Sequence, residues 1–169
     1  MAKLVHVAGV ALIKISSGGG AYQDLGYTRN GADITYEGFF LDVPGDQYGG
    51  DEGPPIEVQF LGEIARVRLE LTKFDMTVAD LVHARAAGNG AGDANIAGPG
   101  TLLLANAVAT RSMDLLIHTA LFPVHFPVAI ARQPIEINKA TKFSTFVCEF
   151  ECHREQTTGV LWDRSTGQH

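Results

Sequence analysis

The stretch Ile56-Glu57-Val58-Gln59-Phe60-Leu61-Gly62-Glu63-Ile64-Ala65-Arg66-Val67-Arg68-Leu69-Glu70-Leu71 decides the fold class. Ile56, Val58 and Phe60 alternate with Glu57 and Gln59, and Ala65, Val67, Leu69 and Leu71 alternate with Arg66, Arg68 and Glu70. Strict alternation sends successive side chains to opposite faces of an extended chain, one greasy and one charged, which is the signature of a half-buried strand. The charged face must meet water or a partner.

Working outward, the same period recurs. Towards the N-terminus, Glu37, Phe39, Leu41 and Val43 share one face, as do Val5, Val7, Ala11, Ile13 and Ile15. Towards the C-terminus come Met113, Leu115 and Ile117, then Val128 and Ile130, then Ile135 and Ile137, and finally Phe146, Cys148, Phe150 and Cys152 opposite Val147, Glu149 and Glu151. Only residues 74–87 change period. There Val78, Leu81 and Val82 recur at helical spacing, Thr77 with Asp80 resembles a capping box, and Gly88 stands where a helix would stop. The pattern predicts a mainly β chain of about eight strands, a β-sandwich or partly closed barrel, with one flanking α-helix that covers an opening or an edge.

Two stretches interrupt the elements. Residues 43–55, within LDVPGDQYGGDEGPP, form an inter-strand loop far longer than the usual two to five residues. Residues 88–100, GNGAGDANIAGPG, are too rich in glycine for an element interior and read as a flexible loop, followed by a short turn or extended segment around 101–110. With neither an internal repeat nor a linker, the 169 residues read as a single domain, 1–169.

Composition narrows the function. A formal charge of −6 opposes a protein that grips nucleic acid, since phosphate binding needs clustered Lys and Arg. No apolar run approaches the roughly 20 residues that span a bilayer, and the apolar N-terminus alternates like a strand with no cleavage signal after it, so a soluble chain without a signal peptide is expected. Cys148 and Cys152, four residues apart in one strand, lie roughly 13 Å apart, against the 7 Å or so that a disulfide tolerates, which fits reduced synthesis inside a cell.

The candidate chemical sites are thin. Gly88, Gly90 and Gly92 follow a helix and no Lys-Ser or Lys-Thr pair comes after them, so they do not read as a phosphate loop. His118, His125, Cys148, Cys152 and His153 are ligand types without ligand spacing, and the two thiols share a face with Phe146 and Phe150, as buried thiols do. Asp42, Asp46, Asp51 and Glu52 lack the order of a calcium loop. The sequence therefore calls for no catalytic residue, no cofactor and no metal.

Several segments together resemble the tail tube proteins of long-tailed bacteriophages and their relatives in gene transfer agents and contractile injection systems. They are Leu25-Gly26-Tyr27-Thr28 with Gly31 ahead of a strand at 33–43, Asp46-Gln47-Tyr48-Gly49, Pro55-Ile56 through Gly62-Glu63, the strand ending at Leu71, the helix at 77–87, and Pro134-Ile135-Glu136-Ile137-Asn138 before the last strand. The resemblance spans most of the chain and rests on the order of elements. It implies a virion structural protein, not an enzyme, made in the host bacterial cytoplasm. Six copies would join sheets edge to edge into rings that stack as a DNA-conducting tube. The implied partners are other copies, the tape-measure protein, the baseplate or tip and terminator proteins, and a sheath where the tail contracts. It also implies that loop 43–55 reaches the next ring, with Asp46, Gln47, Tyr48 and Gly49 as inter-ring contacts. A tail terminator or baseplate ring subunit shares the pattern. A small-ligand-binding β-barrel or small hydrolase, with the acidic loop as its lid, is the reading from another class.

Overall fold

The computed structural model describes residues 10–17, 21–44, 55–82, 113–119, 122–131, 136–139 and 144–164. Seven strands and one helix follow in the order β1 (Leu12–Ser17), β2 (Gln23–Val43), β3 (Glu57–Phe74), α1 (Met76–Val82), β4 (Met113–His118), β5 (Val124–Ala131), β6 (Glu136–Lys139) and β7 (Ser144–His153). Every pairing is antiparallel. The hydrogen-bonded order is β3-β2-β1-β4-β5-β7-β6, and β3 also pairs with β7, so the sheet returns on itself as a partly closed barrel. The described residues are mainly β with one flanking helix, as the alternation predicts. Among the described residues there are seven strands where about eight were expected.

The closing strand explains the ring. β7 pairs β3 along one edge, Ala65 opposite Cys152 through Leu71 opposite Phe146. Its other edge is shared lengthwise, residues 150–153 pairing β5 and residues 144–147 pairing β6. The inward row of β3, Ala65, Val67, Leu69 and Leu71, meets Phe146, Cys148, Phe150 and Cys152 of β7, Ala11, Ile13 and Ile15 from the β1 segment, and Leu115, Ile117 and Phe126 of β4 and β5 in a single buried cluster. Covering both sides of each inward row removes apolar area from water, at about 25 cal/mol per Å². The core of β5 differs from expectation. Val124, Phe126 and Ala129 face inward, whereas Val128 is only half-buried, because an irregularity in the β4–β5 register between Met113 and Leu115 shifts the alternation.

Two local features shape β2. Thr28 is buried, and its Oγ1 accepts from the Ala11 N–H (2.9 Å) and the Gly31 N–H (3.1 Å) while its own N–H donates to the Ala11 carbonyl. This staple holds the strand together where Arg29, Asn30 and Gly31 bulge out of register between Thr28 and Ala32. At Gly26 a Cβ would lie 2.2 Å from the Lys73 carbonyl oxygen, so only glycine permits β2 and β3 to approach there. The quoted Leu25-Gly26-Tyr27-Thr28 run is thus already strand, and β2 begins ten residues before the expected 33.

The helix start also differs. Asp75, not Thr77, caps it: Asp75 Oδ1 accepts from the Thr77 N–H (2.8 Å) and the Val78 N–H (3.4 Å), so the proposed box of Thr77 with Asp80 is corrected. Val78, Ala79 and Val82 join the core cluster from the end of the barrel where β3 stops. Residues 83–87 of the expected helix, Gly88 and the loop 88–100 lie outside the described residues, as do Val5, Val7 and Ile135.

Candidate assembly interface

β2 and β3 are far longer than the barrel they enter. β1 holds β2 only over residues 23–27, and β7 holds β3 only over residues 65–71. Beyond those limits, among the described residues, the two strands pair only with each other, from Glu37 opposite Ile64 to Val43 opposite Glu57, with Ile56 N–H donating to the Val43 carbonyl at the outer limit (3.0 Å). The result is a two-stranded arm. Among the described residues, the edge of β2 along 32–43 and the edge of β3 along 57–64 have no strand beside them. Unpaired edges are templates for another chain, and a two-stranded ribbon is at best marginally stable alone in water.

The arm is apolar on both faces. Partners in an antiparallel ladder share a face. On the face continuous with the barrel interior lie Tyr36, Phe40, Val58 and Phe60, the Phe40 and Phe60 rings 5.5 Å apart; on the face continuous with the charged exterior lie Phe39, Leu41 and Val43. Phe40 is 62% exposed and Phe60 48%, whereas Val67 and Leu69, in the same strand as Phe60, are 0%. Ile56 and Leu61 are exposed as well. Such a concentration of exposed large apolar side chains marks an interaction surface.

Below the arm, the exterior of the sheet carries opposite charges in rows. Arg68 lies opposite Asp33 on β2 and Glu149 on β7; Arg66 lies opposite Thr35 and Glu151 and pairs with Glu37 at 3.2 Å. Each arginine therefore has carboxylates beside it. Burial acts differently on the thiols: it pushes Cys148 up to about 12 and Cys152 higher still, with Glu151 adding to the latter, and both are free, buried thiols. Among the described residues no three His, Cys, Asp or Glu converge as a metal set.

The residues expected to make inter-ring contacts, Asp46, Gln47, Tyr48 and Gly49, lie outside the described residues, as does loop 43–55 apart from its ends. Those ends are the outer end of the arm. The arm's apolar residues were not singled out as a site in the sequence, although a signal exists: Phe39-Phe40-Leu41 is apolar at consecutive positions, which puts greasy side chains on both faces of one strand.

The architecture is a tail-tube-like fold. No family model matches the sequence, and no curated protein matches it. Among solved structures, the fold is similar to a chain described as "Tail of empty GTA particle computed with helical refinement, C6 symmetry", a gene transfer agent tail, with a TM-score of 0.51 and 11% identity over 98% of this chain and 100% of that one. At that identity the likeness shows the fold.

Proposed function

We propose that the protein is a subunit of a phage-type tail tube, which works by assembling with copies of itself and not by catalysis. The observation that carries this reading is the arm, a ribbon with two edges that no other described strand pairs and two faces that carry exposed apolar side chains. In a ring, the β2 edge of one copy meets the β3 edge of the next. Because β2 and β3 run oppositely, every junction is again antiparallel, and no edge is left over when the ring closes. The C6 symmetry of the tail with the similar fold suggests six copies.

Stacked rings enclose a channel for DNA, with the tape-measure protein inside during assembly and tip, terminator and, in a contractile tail, sheath proteins around it. The site of action is then the virion tail. A wall built from the charged exterior of β2, β3 and β7 suits passage without capture, since Arg66 and Arg68 sit among carboxylates that compete with phosphate. A ligand-binding barrel fits less well, because Phe126, Phe146, Phe150 and Leu115 fill the interior where a ligand would lie.

The test is negative-stain electron microscopy with light-scattering chromatography over a wide concentration range. Rings or hollow tubes are expected from the native chain, and Phe40→Ser with Phe60→Ser is expected to raise the concentration needed for assembly at least tenfold without changing the unfolding midpoint of the subunit. A monomer that binds a small molecule stoichiometrically overturns the reading.

A further inference from the structure

The arm has a joint at its root. Glu63 pairs with Gly38 and Gly62 with Phe39, so two glycines lie on neighbouring rungs; the next rung, Phe40 with Phe60, skips Leu61, which bulges out. Gly62 has φ +148° and nothing within 4 Å of where a Cβ would stand. A bulge bends and twists its strand, and glycine removes the side chains that would resist the bend. Among the described residues, no third strand stiffens the ribbon on the β7 side before Ala65. By backbone alone, the arm is free to swing here.

Among the described residues, the side chain of Arg154 crosses the joint. Arg154 Nη2 lies 3.0 Å from Glu63 Oε1, on the barrel side of the bulge, and the guanidinium lies over the Phe60 ring, 5.6 Å from its centroid, on the arm side. The backbone of Arg154 is itself anchored. It follows the last residue of β7 and precedes a turn closed by Glu155 N–H to the Val160 carbonyl (2.9 Å) and Gly159 N–H to the Glu155 carbonyl (2.8 Å). The segment then buries Leu161, sets Trp162 against Tyr36 (6.2 Å between ring centroids) and exchanges two backbone hydrogen bonds between Asp163 and His125 of β5. The guanidinium is thus mounted on the barrel and reaches across to the arm.

We propose that Arg154 is a latch that fixes the angle of the arm in the free subunit, gripping Glu63 by charge and Phe60 by its ring face. A planar cation serves both contacts at once, which a lysine ammonium does less well. Each contact is half-exposed and weak alone, so together they favour the latched over the swung arm by roughly tenfold, a hold that a neighbouring copy is able to override. This latch concerns the orientation of the arm, and its test does not depend on assembly.

The experiment places spin labels at Asp42→Cys near the outer end of the arm and at Thr157→Cys in the turn, with a Glu70→Cys and Thr157→Cys pair as the rigid reference, and measures distances by pulsed electron resonance on dilute subunits. Cys148 and Cys152 are buried and should escape labelling. The native chain should give one narrow distribution. Arg154→Ala should broaden the arm distribution or add a second peak while the reference pair stays narrow, Arg154→Lys should fall between the two, and Glu63→Gln with Phe60→Leu should reproduce the Arg154→Ala result with Arg154 still present. A distribution unchanged in Arg154→Ala overturns the latch, as does broadening of the reference pair to the same degree, which would mean general loosening.

Discussion

Along β3, Val67 and Leu69 are sealed from water while Val58 and Phe60, on the same face beyond the Leu61 bulge, are half-exposed. The lower part of the strand is flanked by β2 and β7 and its inward row is covered by the opposite wall of the barrel; among the described residues the upper part has β2 alone. Chemistry of the side chains is the same in both halves. What differs is whether the described strands supply the cover. A strand pattern reports that a face seeks burial, and in the proposed assembly the arm finds that burial against another copy.

The sharpest way to break this contrast is to truncate one aromatic in each half. Phe150→Ala, in the closed core, should cost roughly 3–5 kcal/mol by urea unfolding, whereas Phe60→Ala should cost the isolated subunit less than about 1 kcal/mol. Equal costs would mean that the arm is part of the core after all. The buried thiols sharpen the same point by titration. Cys148 ionises near 9 when unfolded and is pushed up to about 12 by burial in the fold. Its contribution to stability is therefore complete below about pH 9 and is lost as pH rises from there towards 12, because the unfolded chain gives up the proton first. An alkaline fall in unfolding midpoint is expected, and Cys148→Ala with Cys152→Ala should flatten it. At neutral pH, both native thiols should stay unreactive towards a thiol reagent until the barrel unfolds.

Smaller effects follow at the periphery. Asp75→Ala removes the cap of α1 and should cost about 1 kcal/mol in thermal melts. Glu37→Gln breaks an exposed ion pair with Arg66 and should change subunit stability by no more than about 0.5 kcal/mol.

Much of the barrel was legible in the sequence because alternation marks its inward rows: Met113, Leu115 and Ile117, and Phe146, Cys148, Phe150 and Cys152, are buried as their period demands. Where a bulge intervened, as in β5, the inward set moved from Val128 to Phe126 and Ala129. The helix cap was missed because Asp75 closes β3 and opens α1 at once, leaving no polar gap to mark the boundary. For the site, sequence reading turned to the acidic loop, since long loops with charge draw attention, and passed over the apolar run Phe39-Phe40-Leu41 as ordinary strand. Neither alternation nor composition says where β7 stops accompanying β3, and that boundary is what turns a strand into an arm.

Covering of the arm by another copy is open to direct measurement. Amide hydrogen exchange should be followed at residues 39–43 and 57–61 in dilute subunits and in assembled particles, with residues 146–152 as the internal standard. The arm amides should exchange rapidly in the subunit and become strongly protected on assembly, with the β7 amides protected throughout. Assembled particles whose arm amides still exchange as fast as those of the free subunit would contradict it.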